Sequence, residues 1–237
     1  MLENKIEFVS ALKGFIPEPK PASFFIPKEY KNLTSYVTES HQNPTVKKCI
    51  PFLDTYMSGY IIPFPVDIEF IAPSKSEEGR FVINHNIPLE ISHTLRVDGH
   101  SLEQISSNLR NSKRTIDDIF KFNNPWIIKT PPGYSCYFLT PLNHVLPFEL
   151  IPGVVDTDTY TLPINFPFYW IGSIKNQILK QGSPMAIVIP FKRESWKMKT
   201  SYYDTSTMHH KKIVFSALGS KIFDNYKTKF WKKKSFK

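Results

Sequence analysis

Proline is the residue that most restricts this chain, because it recurs at short intervals from Pro17 to Pro190. The sequence has 20 prolines and only 9 glycines. Proline breaks helix interiors, whereas strand ends and stiff loops tolerate it. The pattern therefore excludes long helices over this interval and favours a β-rich domain of short strands.

The size and composition are sufficient for a folded core. The chain has 237 residues, of which 41% are hydrophobic and 22% charged. It begins without the basic and apolar regions of a signal peptide, and it contains no apolar run long enough to cross a membrane. We therefore predict a cytoplasmic protein, in the host cytoplasm if it is viral. Its two cysteines, Cys49 and Cys136, are expected to be reduced and buried.

Several segments have the pattern of strands. Val66, Ile68 and Phe70 alternate with acidic residues, which is the period of a half-buried strand. Further strands are predicted at Phe81–Ile83, Leu89–Ile91, Pro125–Thr130 and Pro184–Phe191. Turn residues separate the later strands at intervals typical of a β-sandwich or barrel.

Helical patterns are short or terminal. A short helix is predicted at Thr45–Asp54, and residues 99–121 are predicted to form an inserted, partly helical loop, with a capping sequence at Ser101 and another turn at Thr115–Phe120. Met208–Phe236 has the pattern of an amphipathic helix that Gly219 weakens. Its predicted apolar face contains Ile213, Val214, Ala217, Leu218, Ile222 and Phe223.

These patterns divide the chain into three parts. Residues 1–44 are predicted to be an extended segment packed on the core, residues 45–196 the β core with its inserted loop, and residues 197–237 a basic tail.

The formal charge of +9 indicates a polyanionic partner if it is concentrated in one place. From Met208 to Lys237 there are nine lysines and one acid, Asp224. Lysines that neutralise phosphates, together with aromatic rings that stack on unpaired bases, favour nucleic-acid binding by this tail. The predicted contact residues are Lys227, Lys229, Trp231, Lys232, Lys233 and Lys234. A tail that only aids solubility and a helix on an anionic membrane surface are the alternatives.

Three motifs occur in an order that resembles the trimeric dUTPase family. They are Pro131-Pro-Gly-Tyr134, the run from Gly153 to Tyr160, and the run from Gln181 to Ile189. The resemblance implies a β-sandwich or β-clip core in a mainly β fold, to which the sequence pattern adds the extended proline-rich N-terminal segment and the basic C-terminal helix. It also implies a homotrimer.

The resemblance assigns roles to residues of these motifs. Asp156 is the candidate catalytic residue, which would hold the attacking water, with Mg²⁺ as cofactor. Gly153, Asp158, Tyr160 and Gly182 are the candidate ligand-binding residues. The alternative interpretation of the Gly153–Tyr160 run is a tight hairpin whose aspartates bond nearby backbone amides.

This chain differs from the family pattern where phosphates bind. Thr140-Pro-Leu-Asn143 has neither serine nor glycine, Ser183 replaces an aspartate, and only Gly219 follows Gly182 where the family has a glycine-rich arm. We therefore predict a non-hydrolytic dUTPase-like protein of viral type that needs no cofactor and binds a nucleotide or a macromolecular partner. An active Mg²⁺-dependent hydrolase using Asp156 and a structural protein built on an oligomeric β domain are the alternatives.

Four stretches also resemble a family of uncharacterised phage and environmental proteins, a resemblance that implies no particular activity. They are Ile16–Tyr30, Lys48–Pro63, Asn124–Pro141 and Gly153–Trp196.

The remaining features have more than one interpretation. The seven histidines have no metal-ligand spacing, so no metal site is predicted. The aromatic run Phe166–Trp170 is predicted to lie in the core or in a subunit contact, with base stacking as the alternative. Lys192 and Arg193 form a charged strand end or part of an anion site.

Overall fold

The computed structural model describes residues 5–37, 43–72, 81–85, 87, 89–110, 112–219 and 226–237, and this part of the chain is mainly β. The strands are β1 (Glu7–Val9), β2 (Lys20–Pro21), β3 (Tyr60–Pro63), β4 (Ile68–Ile71), β5 (Val82–His85), β6 (Val97–His100), β7 (Ile119–Phe122), β8 (Ile127–Lys129), β9 (Tyr134–Leu139), β10 (Phe148–Leu150), β11 (Gly153–Val155), β12 (Phe166–Trp170), β13 (Gln177–Leu179) and β14 (Pro184–Lys192).

The helices are few, as the proline pattern predicts. The α-helices are α1 (Lys28–Asn32), α2 (Ile50–Met57), α3 (Ser92–Leu95) and α4 (Thr205–Gly219), and a π-helical turn covers Tyr226–Phe230. Single 3₁₀ turns lie at Ala22–Phe25, Val46–Lys48, Leu89–Ile91, Leu102–Gln104 and Ser107–Leu109. No described helix is long and apolar enough to cross a membrane.

The described strands form four antiparallel sheets, none of which closes on itself. The five-stranded sheet has the order β11-β9-β14-β3-β2, and the four-stranded sheet has the order β10-β12-β7-β6. A three-stranded sheet, β13-β4-β5, and the pair β1-β8 complete the set. The strand pattern of the sequence therefore predicted correctly that the chain is mainly β.

Aromatic rings fill the space between the sheets. Phe168 of β12 stacks on Phe122 of β7 with ring centres 3.9 Å apart, and Trp170 stacks on Phe70 of β4 at 4.5 Å. Phe168 and Trp170 are fully buried, so the aromatic run of β12 is core and the base-stacking interpretation is wrong. For the same reason it is not an exposed aromatic surface, and it does not support the predicted homotrimer.

The N-terminal segment lies along this core. Strand β1 pairs with β8, and β2 extends the five-stranded sheet by pairing with β3. Farther along, Tyr30 of α1 packs between Phe52 and Tyr56 of α2, with ring centres 5.7 Å and 5.0 Å away. The segment therefore contributes both backbone pairing and aromatic packing.

One prediction of burial and two of local structure are corrected. Both cysteines are free, but Cys49 is exposed and only Cys136 is buried. Leu89–Ile91 is a 3₁₀ turn that leads into α3 and not a strand. Thr115–Phe120 contains no helical turn, because Ile119 and Phe120 belong to β7, where both side chains are buried. Tertiary burial of apolar residues outweighs local helical preference here.

The predicted C-terminal helix is also shorter than expected. Helix α4 is described from Thr205 to Gly219, and residues 231–237 are not helical. Ile213 is 55% exposed, so the predicted apolar face is not packed at this position. Ile222 and Phe223 of that face lie outside the described residues.

Gly59 provides a test of the sheet packing. Its φ is +73°, and a Cβ at this position would lie 2.2 Å from the backbone oxygen of Val188 in β14. Gly59→Ala should therefore lower the free energy of unfolding, measured with urea. The strain of a positive φ should contribute about 1–2 kcal/mol and overpacking about 1–3 kcal/mol more.

Gly14→Ala is the matched control. Gly14 has a φ of +82°, but a Cβ there would meet no atom within 4 Å, so this variant should show the backbone strain alone. Equal destabilisation of the two variants would contradict the close approach of Gly59 to β14.

Candidate functional site

The two aspartates of the dUTPase-like motif follow β11 in a hairpin with β9. Between them, Thr157 is only 2% exposed, and its hydroxyl lies 2.7 Å from Thr130 Oγ1. Backbone bonds from Thr159 and Tyr160 to the carbonyl oxygen of Asp156, 3.1 Å and 2.9 Å long, close the turn. The buried threonine fixes the turn, while both aspartates reach the same arginine, which lies beyond β9 at the end of β14.

Arg193 is that arginine. It follows the last residue of β14, and its Nη1 donates to Asp158 Oδ1 at 2.9 Å and to the carbonyl oxygen of Tyr134 at 2.8 Å. Its Nη2 donates to Asp158 Oδ2, so Arg193 and Asp158 form a bidentate ion pair. The backbone N–H of Gly133 donates to the same carboxylate at 2.8 Å. The side chain of Asp158 is only 5% exposed, so these groups surround it.

Asp156 is held less tightly. Ser135 Oγ donates to its Oδ1 at 2.6 Å, and Arg193 Nη1 lies 3.3 Å from the same oxygen. The Asp156 side chain is 61% exposed, so its carboxylate remains accessible to solvent. We call Gly133, Ser135, Asp156, Asp158 and Arg193 the hairpin cluster.

The electrostatics of the hairpin cluster favour fixed charges over proton transfer. The hydrogen bonds from Arg193, and secondarily the Gly133 N–H, lower the pKa of Asp158 to about 2. The pairing with Asp158 in turn raises the pKa of Arg193. Below the cluster, burial raises the pKa of the Cys136 thiol to about 11. A carboxylate with a lowered pKa and a neutral thiol suit structural support better than acid–base or nucleophilic catalysis.

The other motif residues are not all brought to this cluster. Gly153 pairs with Phe138 at the start of β11. Gly182 has a φ of +80° in the turn before β14, so the nine residues of that strand separate it from Arg193. At about 3.3 Å per residue the separation is roughly 30 Å. Tyr160 is 42% exposed and lines a different cavity, of about 360 Å³, beside Asp98 and Lys121.

The sequence identified the two aspartates as candidate site residues but did not predict the side chains that bind them. Ser135 was not predicted to take part, and Arg193 was considered only as a strand end or part of an anion site. The available signal was that Arg193 is the only arginine after Arg114 and directly follows a strongly apolar strand.

The C-terminal segment, residues 226–237, folds back onto the core. Trp231 Nε1 lies 3.0 Å from both carboxylate oxygens of Asp54 on α2, and Lys234 forms an ion pair with the same group. The ring of Phe236 packs edge-on against Tyr60, with ring centres 5.8 Å apart. Trp231 and Lys234 therefore anchor this segment, whereas Lys227, Lys229, Lys232 and Lys233 remain exposed.

The residues between the core and this segment, which we call the arm (residues 194–219), carry exposed aromatic rings. Trp196 is 88% exposed and Tyr202 94%. Lys197 and Lys199 alternate with Trp196 and Met198, and Lys211 on α4 lies over the ring of Tyr203, 5.0 Å from its centre.

The charge of the chain is divided sharply at the start of the arm. Residues 193–237 contain twelve basic and three acidic residues, which amounts to +9, the formal charge of the whole chain. Residues 1–192 contain eighteen basic and eighteen acidic residues. Residues 1–192 are therefore neutral overall, and the excess positive charge belongs to Arg193, which pairs with Asp158, and to residues 194–237.

Comparison with models of known protein families finds no match for this chain, and a search of curated proteins finds no similar sequence. Within the described residues, no three histidine, cysteine or acidic side chains are grouped so that they could hold a metal ion.

The Asp158–Arg193 pair predicts a specific response to acid. Since the pKa of Asp158 is about 2 in the folded protein and its ordinary value is 3.8, its contribution to stability is complete above about pH 4 and is lost as the pH falls to 2. Asp158→Asn should lower the melting temperature at pH 6 and remove this part of the acid dependence, measured by near-ultraviolet circular dichroism from pH 6 to pH 2.

Asp204→Asn is the matched control. Hydrogen bonds from Thr207 and Ser206 lower the pKa of Asp204 to about 2 as well, but this residue precedes α4 on the exposed arm. The control should reduce helix content without changing core unfolding. An unchanged acid dependence in Asp158→Asn would contradict a stabilising role for the pair.

Proposed function

We propose that this protein is a non-hydrolytic binding protein that holds single-stranded nucleic acid on its basic, aromatic arm and on its C-terminal segment. The observation that carries the proposal is the division of charge between a neutral core and residues 193–237, combined with exposed aromatic rings on the arm.

The charge supports a polyanionic ligand. Each lysine that neutralises a phosphate releases counterions, and this term provides most of the affinity of sequence-independent binding. The arm lysines Lys197, Lys199, Lys211 and Lys212 are exposed, so they can approach a phosphate backbone without breaking the fold.

The aromatic rings favour unpaired bases over a duplex. Aromatic platforms stack on any base that has been released from pairing, whereas stacked duplex bases offer no free face. Trp196 and Tyr202 are almost fully exposed, in contrast to the buried rings of the core. An exposed tryptophan beside two lysines combines stacking with charge neutralisation.

The hairpin cluster supports a non-hydrolytic role. Asp158 is occupied by Arg193 and Gly133, and Asp156 accepts from Ser135. Gly182, the other glycine of the motif pattern, lies at the opposite end of β14. The proposal also includes a dUTPase-like β-clip fold, a viral type of protein and a homotrimer. The order of the sequence motifs supports these three features.

The proposal predicts salt-sensitive binding. Fluorescence anisotropy with a labelled single-stranded oligonucleotide should show an affinity that falls steeply with added salt. Replacing Lys197, Lys199, Lys211 and Lys212 by Gln should weaken binding at least about tenfold. It should also reduce the slope of log K against log salt by up to about 3, since each phosphate contact on a single strand contributes about 0.7.

A variant with the same change of charge on the core is the control. Lys13, Lys20, Lys129 and Lys175 are also exposed, and their replacement by Gln should change the affinity less than about threefold. Equal weakening by both variants would indicate a general charge effect and overturn the assignment to the arm. An intact protein that does not bind at low salt would overturn the proposed function itself.

The non-hydrolytic assignment has its own test. Purified protein with Mg²⁺ should not convert dUTP to dUMP and pyrophosphate, and Asp156→Asn should leave nucleic-acid binding unchanged. Turnover of dUTP that disappears in Asp156→Asn would establish the hydrolase alternative instead.

A further inference from the structure

A cavity of about 520 Å³ lies away from the hairpin cluster, between the N-terminal segment, α2 and the turn that follows β9. Two of the motif-rich stretches of the sequence, Ile16–Tyr30 and Lys48–Pro63, meet here, although they are separate along the chain. The volume is within the range of small-molecule sites in proteins.

Aromatic side chains form the wall of the cavity. The rings of Tyr30 and Tyr56 lie with their centres 5.0 Å apart, and the His144 ring packs edge-on against Tyr56 at 5.5 Å. Phe25 lines the same space. Apolar and aromatic walls with a few polar groups are typical of binding cavities.

Hydrogen bonds hold this wall in position. The Tyr56 hydroxyl donates to the carbonyl oxygen of Asn143 at 2.9 Å, and the Asn143 amide donates to Thr55 Oγ1 at 2.6 Å. His144 Nε2 lies 3.0 Å from the carbonyl oxygen of Phe25. Both sides of the cavity are therefore fixed before any ligand enters, which lowers the entropic cost of binding.

The charge of the lining is negative. Glu29 is its one carboxylate, and the lining contains no lysine or arginine. Glu29 has no ion-pair partner among the described residues, and it lies near enough to Tyr56 that its charge adds to the effect of burial in raising the pKa of that phenol. A ligand with a positive charge would complement this side chain.

Tyr30 adds a group without a partner. This residue lines the cavity and is only 7% exposed, yet its hydroxyl has no hydrogen-bond partner within the described part of the chain. Buried hydroxyl groups are normally hydrogen-bonded, and exceptions require an explanation. The hydroxyl atom has no exposed surface, so the fold leaves it unsatisfied and a ligand in the cavity does not reach it.

The Tyr30 ring already lies against one cation. Lys47 Nζ is 4.8 Å from its centre and donates to the carbonyl oxygens of Tyr30 and Lys31 at 2.9 Å and 2.8 Å. Lys47 does not line the cavity. Lys47, and Phe52 which stacks on the same ring at 5.7 Å, therefore already cover the Tyr30 ring, so the cation of a ligand must meet the other aromatic side chains of the lining.

We propose that this cavity binds a small organic cation, with an alkylammonium group against the aromatic wall of Phe25, Tyr56 and His144 and close to the Glu29 carboxylate. The aromatic faces attract the positive group, the carboxylate neutralises it, and the apolar residues Val145 and Pro184 cover the carbon atoms of the ligand. This site is independent of the arm and of nucleic-acid binding.

Choline and its uncharged carbon analogue, 3,3-dimethylbutan-1-ol, are the probes, because they have nearly the same shape and differ in charge. Saturation-transfer NMR and calorimetry on the full chain should detect choline with a Kd of about 1 mM or below and the alcohol at least about tenfold more weakly. Equal affinity for the two probes would overturn the proposed cation selectivity, and no choline binding at about 10 mM would overturn the site.

Three variants locate the binding. Glu29→Gln should weaken choline binding at least about fivefold and leave binding of the alcohol unchanged, whereas Glu18→Gln, an exposed carboxylate outside the lining, should change neither. Tyr30→Phe should keep the folded structure and should change the affinity for choline less than about twofold, because the lost hydroxyl has neither a partner nor exposed surface.

The arm variant separates this proposal from the proposed function. The protein with Gln at Lys197, Lys199, Lys211 and Lys212 should bind choline as the unmodified chain does. Choline binding that is lost in the arm variant, or kept in full by Glu29→Gln, would show that the cation does not bind in this cavity.

Discussion

The close packing of β14 is the constraint on which most of the described structure depends. This strand pairs with β3 on one side and β9 on the other, and Met185, Ala186, Ile187 and Val188 are buried along it. A strand in such a position accepts apolar side chains on both faces and needs neighbours that approach closely. Gly59 provides that approach on one side, and the strand's far end positions Arg193 against the hairpin. The Asp158–Arg193 pair therefore connects the end of the central strand to the β9–β11 hairpin at the point where the arm begins.

The two proposed binding surfaces differ because their physical environments differ. The arm is exposed, basic and aromatic, which suits a long anionic ligand held at many weak contacts. The cavity is aromatic and carries one carboxylate, which suits a small cation held in one place. Opposite charges at the two surfaces mean that one ligand class would not compete for both.

Helix α2 contacts both the C-terminal segment and the cavity. Asp54 binds Trp231 and Lys234 of the C-terminal segment, whereas Tyr56 lines the cavity. The two residues are two positions apart and therefore point in directions about 200° apart around the helix. A short helix of eight residues thus anchors the basic tail on one side and supports the aromatic wall on the other.

The sequence by itself determined the elements whose pattern is local. Proline spacing excluded long helices, the alternation at Ile68 and Phe70 predicted β4, and the apolar run predicted β14. The same reasoning failed at Leu89–Ile91 and Thr115–Phe120, where short apolar segments fit either a turn or a strand until their neighbours are known. Likewise, the sequence identified Asp156 and Asp158 as candidate site residues, but only the tertiary structure revealed their contacts with Arg193 and Ser135.

The tertiary structure decided which distant residues meet. Asp158 and Arg193 are 35 positions apart, and Asp54 and Trp231 are 177 positions apart. The cavity likewise requires Tyr30, Tyr56 and His144 from three separate segments. A periodic pattern reports only which face of a strand or helix is buried, and it carries no information about the partner across the sheet. Strand pairing and the packing of aromatic rings therefore determine both candidate sites, although every residue in them is visible in the sequence.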